Sequence, residues 1–291
     1  MPDILYFNGR FTTTDEAVIS VEDRGLQFGD SLYEVIRFID GAPRFARAHW
    51  ERMDRGLRAL RIPDPWSGWP EFGGMLGQIL DKTEFDEGIL YIQVTRGVSE
   101  RSHFYIDQMQ PTSIAYSRRF DFPDELQRRR GVSAVTFEDI RWKRCDIKSV
   151  NLLPNVLAKT HAKQSGAGEA ILLGDGIVTE GASSNLFVVS GERLITHPPN
   201  VHILPGIVRD RVIEIAIEQK IRLDERPVQQ TELFSIDEVF LTSTTQGVMP
   251  IISIDGRPVG TGSIGTVTAR VQRLFEALER SDRAVDAIDA S

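Results

Sequence analysis

Lys148 stands in the run Arg-Cys-Asp-Ile-Lys-Ser-Val-Asn, just before the apolar stretch Leu-Leu-Pro-Asn-Val-Leu, and only six of the chain's 34 lysine and arginine residues are lysines. Where arginine supplies most of the positive charge, a lysine among apolar neighbours points to the chemistry arginine lacks, a deprotonatable amine that can attack a carbonyl and carry a proton. The competing reading is an ion pair with Asp146, two residues away on the same strand face. Three other groupings have chemically suggestive spacing. Gly206-Ile-Val-Arg-Asp opens a predicted helix, whose first N–H groups, on Ile207 and Val208, suit an anion such as phosphate. His49 and Arg52 are one helical turn apart, and Arg101 and His103 alternate, so that each pair projects to one side. Taken singly, each has an ordinary explanation: a solvated helix arginine, an exposed polar loop, and, for Glu180 in Val-Thr-Glu-Gly-Ala-Ser-Ser-Asn, a glutamate in a surface turn.

The elements that must position these residues can be read from periodicity and turn chemistry. Asn8-Gly9 and Asp40-Gly41 interrupt apolar, aromatic runs and predict two hairpins. Trp50, Met53, Leu57 and Leu60 recur at helical spacing and predict a helix over 46–60, with a second over 71–81. GILYIQVTRG and PTSIAYS read as strands. Proline and clustered charge in RRFDFPDELQRRRG mark a linker, which places a boundary near Phe120 between a lobe of 1–120 and one of 121–291. In the second lobe GVSAVTFEDIRW reads as a strand and NLLPNVLAKTHAKQSG as a buried helix, with Pro154 in its first turn and Gly166 past its end, so Lys148 falls where the strand ends and the helix begins. Short strands turning at Asp175-Gly176 and Gly191, a helix from Gly206, the strand EVFLTSTT and a last helix over TARVQRLFEALER complete the lobe. The tail from Ser281 is expected to be loosely ordered. Strands and helices mix in both lobes without the alternation of a doubly wound sheet, an α+β pattern.

Composition narrows the function classes. A chain of 291 residues, 41% of them hydrophobic, is long enough for two cores. A formal charge of −8 argues against a broad nucleic-acid or anionic-lipid surface, so a small-molecule partner is expected. One cysteine, Cys145, leaves no internal disulfide, and the five histidines lack ligand spacing, so no metal site is expected. The absence of a signal-like N-terminus and of a long apolar span leads to the expectation of a cytoplasmic protein. No Walker loop or Gly-x-Ser-x-Gly elbow occurs. GTGSIG at Gly260–Gly265 satisfies a dinucleotide pattern literally, but too little chain follows to complete the unit, and it reads as a turn.

Six motifs in order, EDRGLQFGDSLYEV, VTRGVSERSH, RCDIKSVNLLPNVLAK, VTEGASSNLF, ILPGIVRD and FLTSTT, resemble those of the fold-type IV pyridoxal phosphate aminotransferases, over nearly the whole chain. The resemblance implies a two-domain fold, with a smaller α/β N-terminal domain and a larger C-terminal cofactor-attachment domain built on a pseudo-barrel of strands with flanking helices. It implies that Lys148 carries pyridoxal 5'-phosphate as a Schiff base and then moves the proton, with a pyridoxamine form in the half-reaction. By the same resemblance Glu180 faces the ring nitrogen, Leu204 supports the ring, and Arg52, Thr244, Ile207 and Val208 take the phosphate. Ser183 and Ser184 help order the cofactor, although Ala182 replaces a serine found in some relatives.

Members acting on D-amino acids have an arginine and a histidine at the spacing of Arg101 and His103, which with a tyrosine matching Tyr33 trap the substrate carboxylate from a neighbouring subunit. The resemblance therefore implies a homodimer with shared active sites and a transaminase passing the amino group of D-alanine to 2-oxoglutarate. Branched-chain L-amino-acid transaminases, (R)-amine transaminases and lyases of the same fold keep Lys148 and Glu180 without that trap. Arg37 sits where branched-chain enzymes also have an arginine; it either meets a substrate side-chain carboxylate or pairs with an acidic neighbour. A non-enzymatic binder of phosphate metabolites would keep Arg52 and the helix start but give Lys148 no covalent role.

Overall fold

The computed structural model describes residues 4–282, and the tail beyond Asp282 lies outside them. Of these, 4–121 with 147–151 and 280–282 form one compact unit, and 122–146 with 152–279 form another.

The first unit is built on a six-stranded sheet. Its strands are β1 (Ile4–Phe7), β2 (Arg10–Thr13), β3 (Ser31–Ile39), β4 (Ala42–Pro43), β5 (Gly88–Thr95) and β6 (Thr112–Arg118), in the order β2-β1-β6-β5-β3-β4 and antiparallel throughout. Asn8 and Gly9 both take positive φ, 48° and 86°, the geometry a two-residue hairpin turn requires. Three helices accompany the sheet: α1 (Arg24–Phe28), α2 (Ala46–Leu60) and α3 (Trp69–Asp81). Along β3, Leu32, Ile36 and Phe38 are buried in one cluster with Met53 and Leu57 of α2 and Phe72 and Leu76 of α3. Burial of each such side chain contributes about 1.5–3 kcal/mol. The alternate residues Tyr33, Val35 and Arg37 fall on the other face.

The second unit holds a ten-stranded mixed sheet. It begins with α4 (Glu125–Arg130), inside the stretch read as a linker; Asp124 and Gln127 close a capping box around its start, a signal the proline and charge obscured. Then follow β7 (Val132–Glu138), α5 (Leu153–Gln164), β8 (Glu169–Gly174), β9 (Ile177–Gly181), β10 (Asn185–Ser190), β11 (Arg193–Thr196), α6 (Ile207–Glu218), β12 (Arg222–Glu225) and β13 (Val228–Gln229). After a 3-10 turn, β14 (Glu238–Ser243), β15 (Gly247–Ile254), β16 (Arg257–Pro258) and α7 (Thr266–Ser281), which belongs to this unit as far as Glu279, complete it. The strand path is β12-β11-β10-β14-β15-β7-β8-β9-β13, with β16 on β15. Pairs β7–β8, β15–β7 and β11–β12 are parallel. Ile171, Val188, Val239, Leu241, Met249 and Ile251 form its main core.

Two expectations about Lys148's surroundings are corrected. The strand before it ends at Glu138 and the helix after it starts at Leu153, so the lysine lies in an irregular crossover, not at a strand end. The helix is also not buried: Leu153, Val156 and Leu157 are exposed, and its buried residues are Ala158 and Ala162. An apolar run carries no information about which of its faces meets a core when the inward contacts are made by alanines.

Candidate functional site

Residues 147–151 dock as an extended segment against the start of β3. Tyr33 N–H donates to the Lys148 carbonyl at 3.1 Å, Val150 N–H donates to the Ser31 carbonyl at 3.2 Å, and Ser149 bridges Leu32. Ile147 is buried in the first unit's core. Successive side chains of an extended segment alternate, and Lys148 Nζ lies 4.2 Å from the centroid of the Tyr33 ring, a cation–π distance. Asp146 is gripped by Arg144 through two hydrogen bonds, 2.9 and 3.0 Å, so the ion-pair reading of Lys148 loses its partner. Tyr33 stacks on Tyr91 at 6.0 Å, and Tyr91 on Tyr116 at 5.3 Å. The Tyr91 hydroxyl donates to Gln93 Oε1, and burial pushes its pKa up, reinforced by Tyr116 and Tyr33. None of these β5 and β6 residues was singled out from the sequence. The signal was present in the alternation of Tyr91 and Gln93 with buried Leu90, Ile92 and Val94.

Arg52 and His49 lie one turn apart on α2 and converge on a residue the sequence reading missed, Glu34. Arg52 donates Nε to Glu34 Oε1 and Nη2 to Oε2, both at 2.7 Å, while His49 Nδ1 meets Oε2 at 2.7 Å. Glu34 is wholly buried. Burial alone would raise its pKa, but the charge and hydrogen bonds of Arg52, with those of His49, win and hold the carboxyl well below the usual range. His49 is pushed down by burial, against the pull of Glu34. Arg37, on the face of β3 that carries Tyr33, pairs with Glu87 at 2.5 Å, the acidic-neighbour alternative. Arg101 and His103 meet at one ring: the Arg101 guanidinium is 4.6 Å from the Phe28 centroid and the His103 ring 5.7 Å from it.

In the second unit Glu180, on β9, is buried, and burial lifts its carboxyl to about 7 against the opposing charge and hydrogen bond of Arg141. Arg141 Nη1 donates to Glu180, and its Nε and Nη2 clasp Asp139 at 2.9 and 2.7 Å. Burial would lower the Arg141 pKa, but Asp139 and Glu180 prevail and keep it protonated. Leu204 N–H donates to Glu180 Oε2 at 3.1 Å. Asn185, also missed, ties the cluster together by donating to Glu180 Oε2 and to the Leu204 carbonyl, both at 2.8 Å. A Cβ at Gly206 would lie 2.0 Å from Asn185 Oδ1, so only glycine lets α6 begin this close. The helix starts at Ile207 and Val208 with no side-chain cap, leaving its first N–H groups available to an anion. Ser184 Oγ donates to buried Glu169 at 2.9 Å and Ser183 Oγ at 3.4 Å; Lys159 Nζ neutralises the same carboxylate at 3.0 Å. Thr244 follows β14 in the turn to β15. Among the described residues no metal-ligand cluster occurs and no helix is long and apolar enough to cross a membrane.

The fold and these clusters place the chain in a class of group-transfer enzymes: it belongs to the amino-transferase class IV family, whose model matches residues 31–254. It is 42% identical, over 93% of its length and 95% of the relative's, to the D-alanine aminotransferase of Bacillus licheniformis. The branched-chain amino acid aminotransferase of Escherichia coli has the same fold, with a TM-score of 0.87 at 26% identity, covering 96% of this chain and 95% of that one. Another branched-chain amino acid aminotransferase, solved with pyridoxamine 5'-phosphate, gives a TM-score of 0.86 at 26% identity, with coverage of 96% and 95%. The chain is thus an aminotransferase with the fold-type IV architecture.

Proposed function

We propose that the protein transfers the amino group of a D-amino acid of the D-alanine type to a 2-oxo acid of the 2-oxoglutarate type in two alternating half-reactions, using pyridoxal 5'-phosphate attached to Lys148. The observation that carries this reading is the 42% identity to a D-alanine aminotransferase over 93% of the chain, against 26% to the branched-chain structures. The residues present suit the cofactor. Lys148 offers an amine with no carboxylate paired to it among the described residues. Glu180 offers a buried carboxylate, and the uncapped start of α6 offers amide donors for a phosphate.

When bound, pyridoxal phosphate supplies an electron sink for the charge left as the substrate's Cα–H bond breaks. Lys148 would then have two tasks: its amine would hold the cofactor and, when free, would take the proton from the substrate's Cα as general base. Glu180 would keep a proton on the ring nitrogen, and Arg141 favours the ionised carboxylate that this requires. The N–H groups of Ile207 and Val208 would take the phosphate, a role also proposed for Arg52 and the Thr244 hydroxyl, and Leu204 would support the ring. Glu34 fixes the Arg52 fork, and Glu169 fixes Ser183 and Ser184. Arg101 and His103, with Tyr33, bind the substrate carboxylate; they serve a second copy of the chain, in a homodimer with shared sites, and the exposed apolar Phe104 and Ile106 of the same loop favour such an interface. A cytoplasmic setting accords with the single cysteine.

A substrate panel tests this reading. With 2-oxoglutarate as acceptor, D-alanine is expected to react far faster than L-leucine or (R)-1-phenylethylamine. Preference for L-leucine or the amine would replace it with the branched-chain or (R)-amine alternative, and no turnover with any donor would remove the transaminase reading.

A further inference from the structure

The loop that carries Arg101 and His103 is exposed, yet one buried side chain reaches both flanks of His103. Arg24, in α1 and 4% exposed, donates Nη1 to the Ser102 carbonyl at 2.7 Å and to the Phe104 carbonyl at 3.3 Å. Its Nε pairs with Asp30 at 3.1 Å, and its guanidinium lies 4.7 Å from the Phe28 centroid, the ring that also carries Arg101 and His103. Its backbone N–H donates to the Gly97 carbonyl at 2.9 Å. The loop is held elsewhere as well: Arg101 Nη1 donates to Gln27 Oε1 at 3.3 Å, and Tyr105 lies 3.9 Å from the Arg96 guanidinium, which itself clasps Asp30 at 2.6 and 2.9 Å. Asp23, the cap of α1, adds a bridge to Val98 and accepts from Thr95 and Thr112.

A buried arginine spending one guanidinium nitrogen on two loop carbonyls is costly unless the loop's conformation matters, because ordering an exposed segment opposes its conformational entropy. We propose that Arg24 is a positioning residue for substrate-carboxylate recognition: with Phe28 it forms the platform that fixes the loop 101–104, and so sets Arg101 and His103 in the geometry that binds the carboxylate. This rests on the D-amino-acid reading above. Arg24 acts through the loop and touches neither cofactor nor substrate.

Arg24→Gln removes the charge and the fork but leaves Asp30 held by two bonds from Arg96, so no buried carboxylate is orphaned. In the holoenzyme this variant is expected to raise KM for D-alanine by about tenfold, the order expected for a lost charge-assisted contact network, with kcat within about twofold and the visible absorbance of the bound cofactor unchanged. Amide exchange over 99–106 should quicken in the same variant. Arg24→Lys should restore part of the KM, and Phe28→Leu, which spares Arg24's hydrogen bonds, should raise KM too. An unchanged KM, a fall in kcat at constant KM, or unchanged amide exchange in Arg24→Gln overturns the proposal. If wild type fails to use D-alanine, the functional reading fails instead; if wild type uses it and Arg101→Leu raises KM while Arg24→Gln does not, only the platform fails.

Discussion

The Glu34–Arg52–His49 cluster makes a quantitative demand on stability. Replacing Arg52 by methionine keeps much of its volume but removes two hydrogen bonds of 2.7 Å and the charge that offsets a fully buried carboxylate, leaving Glu34 with His49 alone. Removing one partner of a buried ion pair costs about 3–5 kcal/mol, because the remaining charge keeps its desolvation penalty. The double variant Arg52→Met/Glu34→Gln removes that charge and should recover about 2 kcal/mol or more of the loss, a coupling that a double-mutant cycle isolates.

The pH dependence sharpens the test. In wild type the folded-state pKa of Glu34 is depressed, so its contribution to stability is present above the ordinary carboxylate range and is lost as pH falls below it. Without Arg52, burial raises the Glu34 pKa and His49 loses a repelling neighbour, so the pair takes up a proton whichever residue holds it. A proton bound in the folded state but not the unfolded one reverses the sign, and the deficit of Arg52→Met should shrink as pH falls from 7 to 5. Urea denaturation of the cofactor-free protein at both values measures this. A loss below about 1 kcal/mol at pH 7, or an equal loss at pH 5, refutes the argument that desolvation of Glu34 dominates.

Other expectations follow from single residues. Lys148→Ala should lower turnover on the order of 10³-fold or more and abolish covalent cofactor trapping by borohydride; full retained turnover would exclude the lysine from the chemistry. Arg101→Leu should raise KM for D-alanine far more than for an amine lacking a carboxylate, and equal losses would remove its assignment. Because the Glu180 pKa is raised to about 7 by burial, its favourable contribution is fully present below the ordinary carboxylate range and is lost as pH rises through 7. The cofactor-free Glu180→Gln variant should therefore gain on wild type between pH 5 and pH 8, by at most about 1.4 kcal/mol per pH unit within the titration range; parallel stability curves would count against it.

Local pattern went furthest where one face of an element is apolar and its ends are marked. The spacing of Trp50, Met53, Leu57 and Leu60 located α2, and Asn8-Gly9 and Asp40-Gly41 located two hairpin turns with positive φ at all four positions. β15 escaped because Pro250 interrupts its pattern; proline is rare in paired strands, yet here it sits opposite Phe240 in register. The crossover bearing Lys148 was illegible for a different reason. Its course is fixed by distant partners, the backbone of Ser31 and Tyr33, and nothing in residues 139–152 specifies them.

The site divides along the same line. Lysine scarcity and motif order bring forward the groups proposed to meet a ligand, whereas Glu34, Asn185 and Glu169 are spent on other side chains. Glu34 could nevertheless have been found. In Ser-Leu-Tyr-Glu-Val-Ile-Arg-Phe it occupies the phase of Leu32, Ile36 and Phe38, and a carboxylate in the core phase of a strand requires a cationic partner in the same core. His49 and Arg52 are the basic side chains that the buried stripe of α2 provides, beside Met53. The spacing of His49 and Arg52, which suits a phosphate, is therefore also a requirement of the fold. Glu34 holds the two in place within the fold, and on the proposed phosphate role of Arg52 that prior alignment would lower the entropy lost on binding.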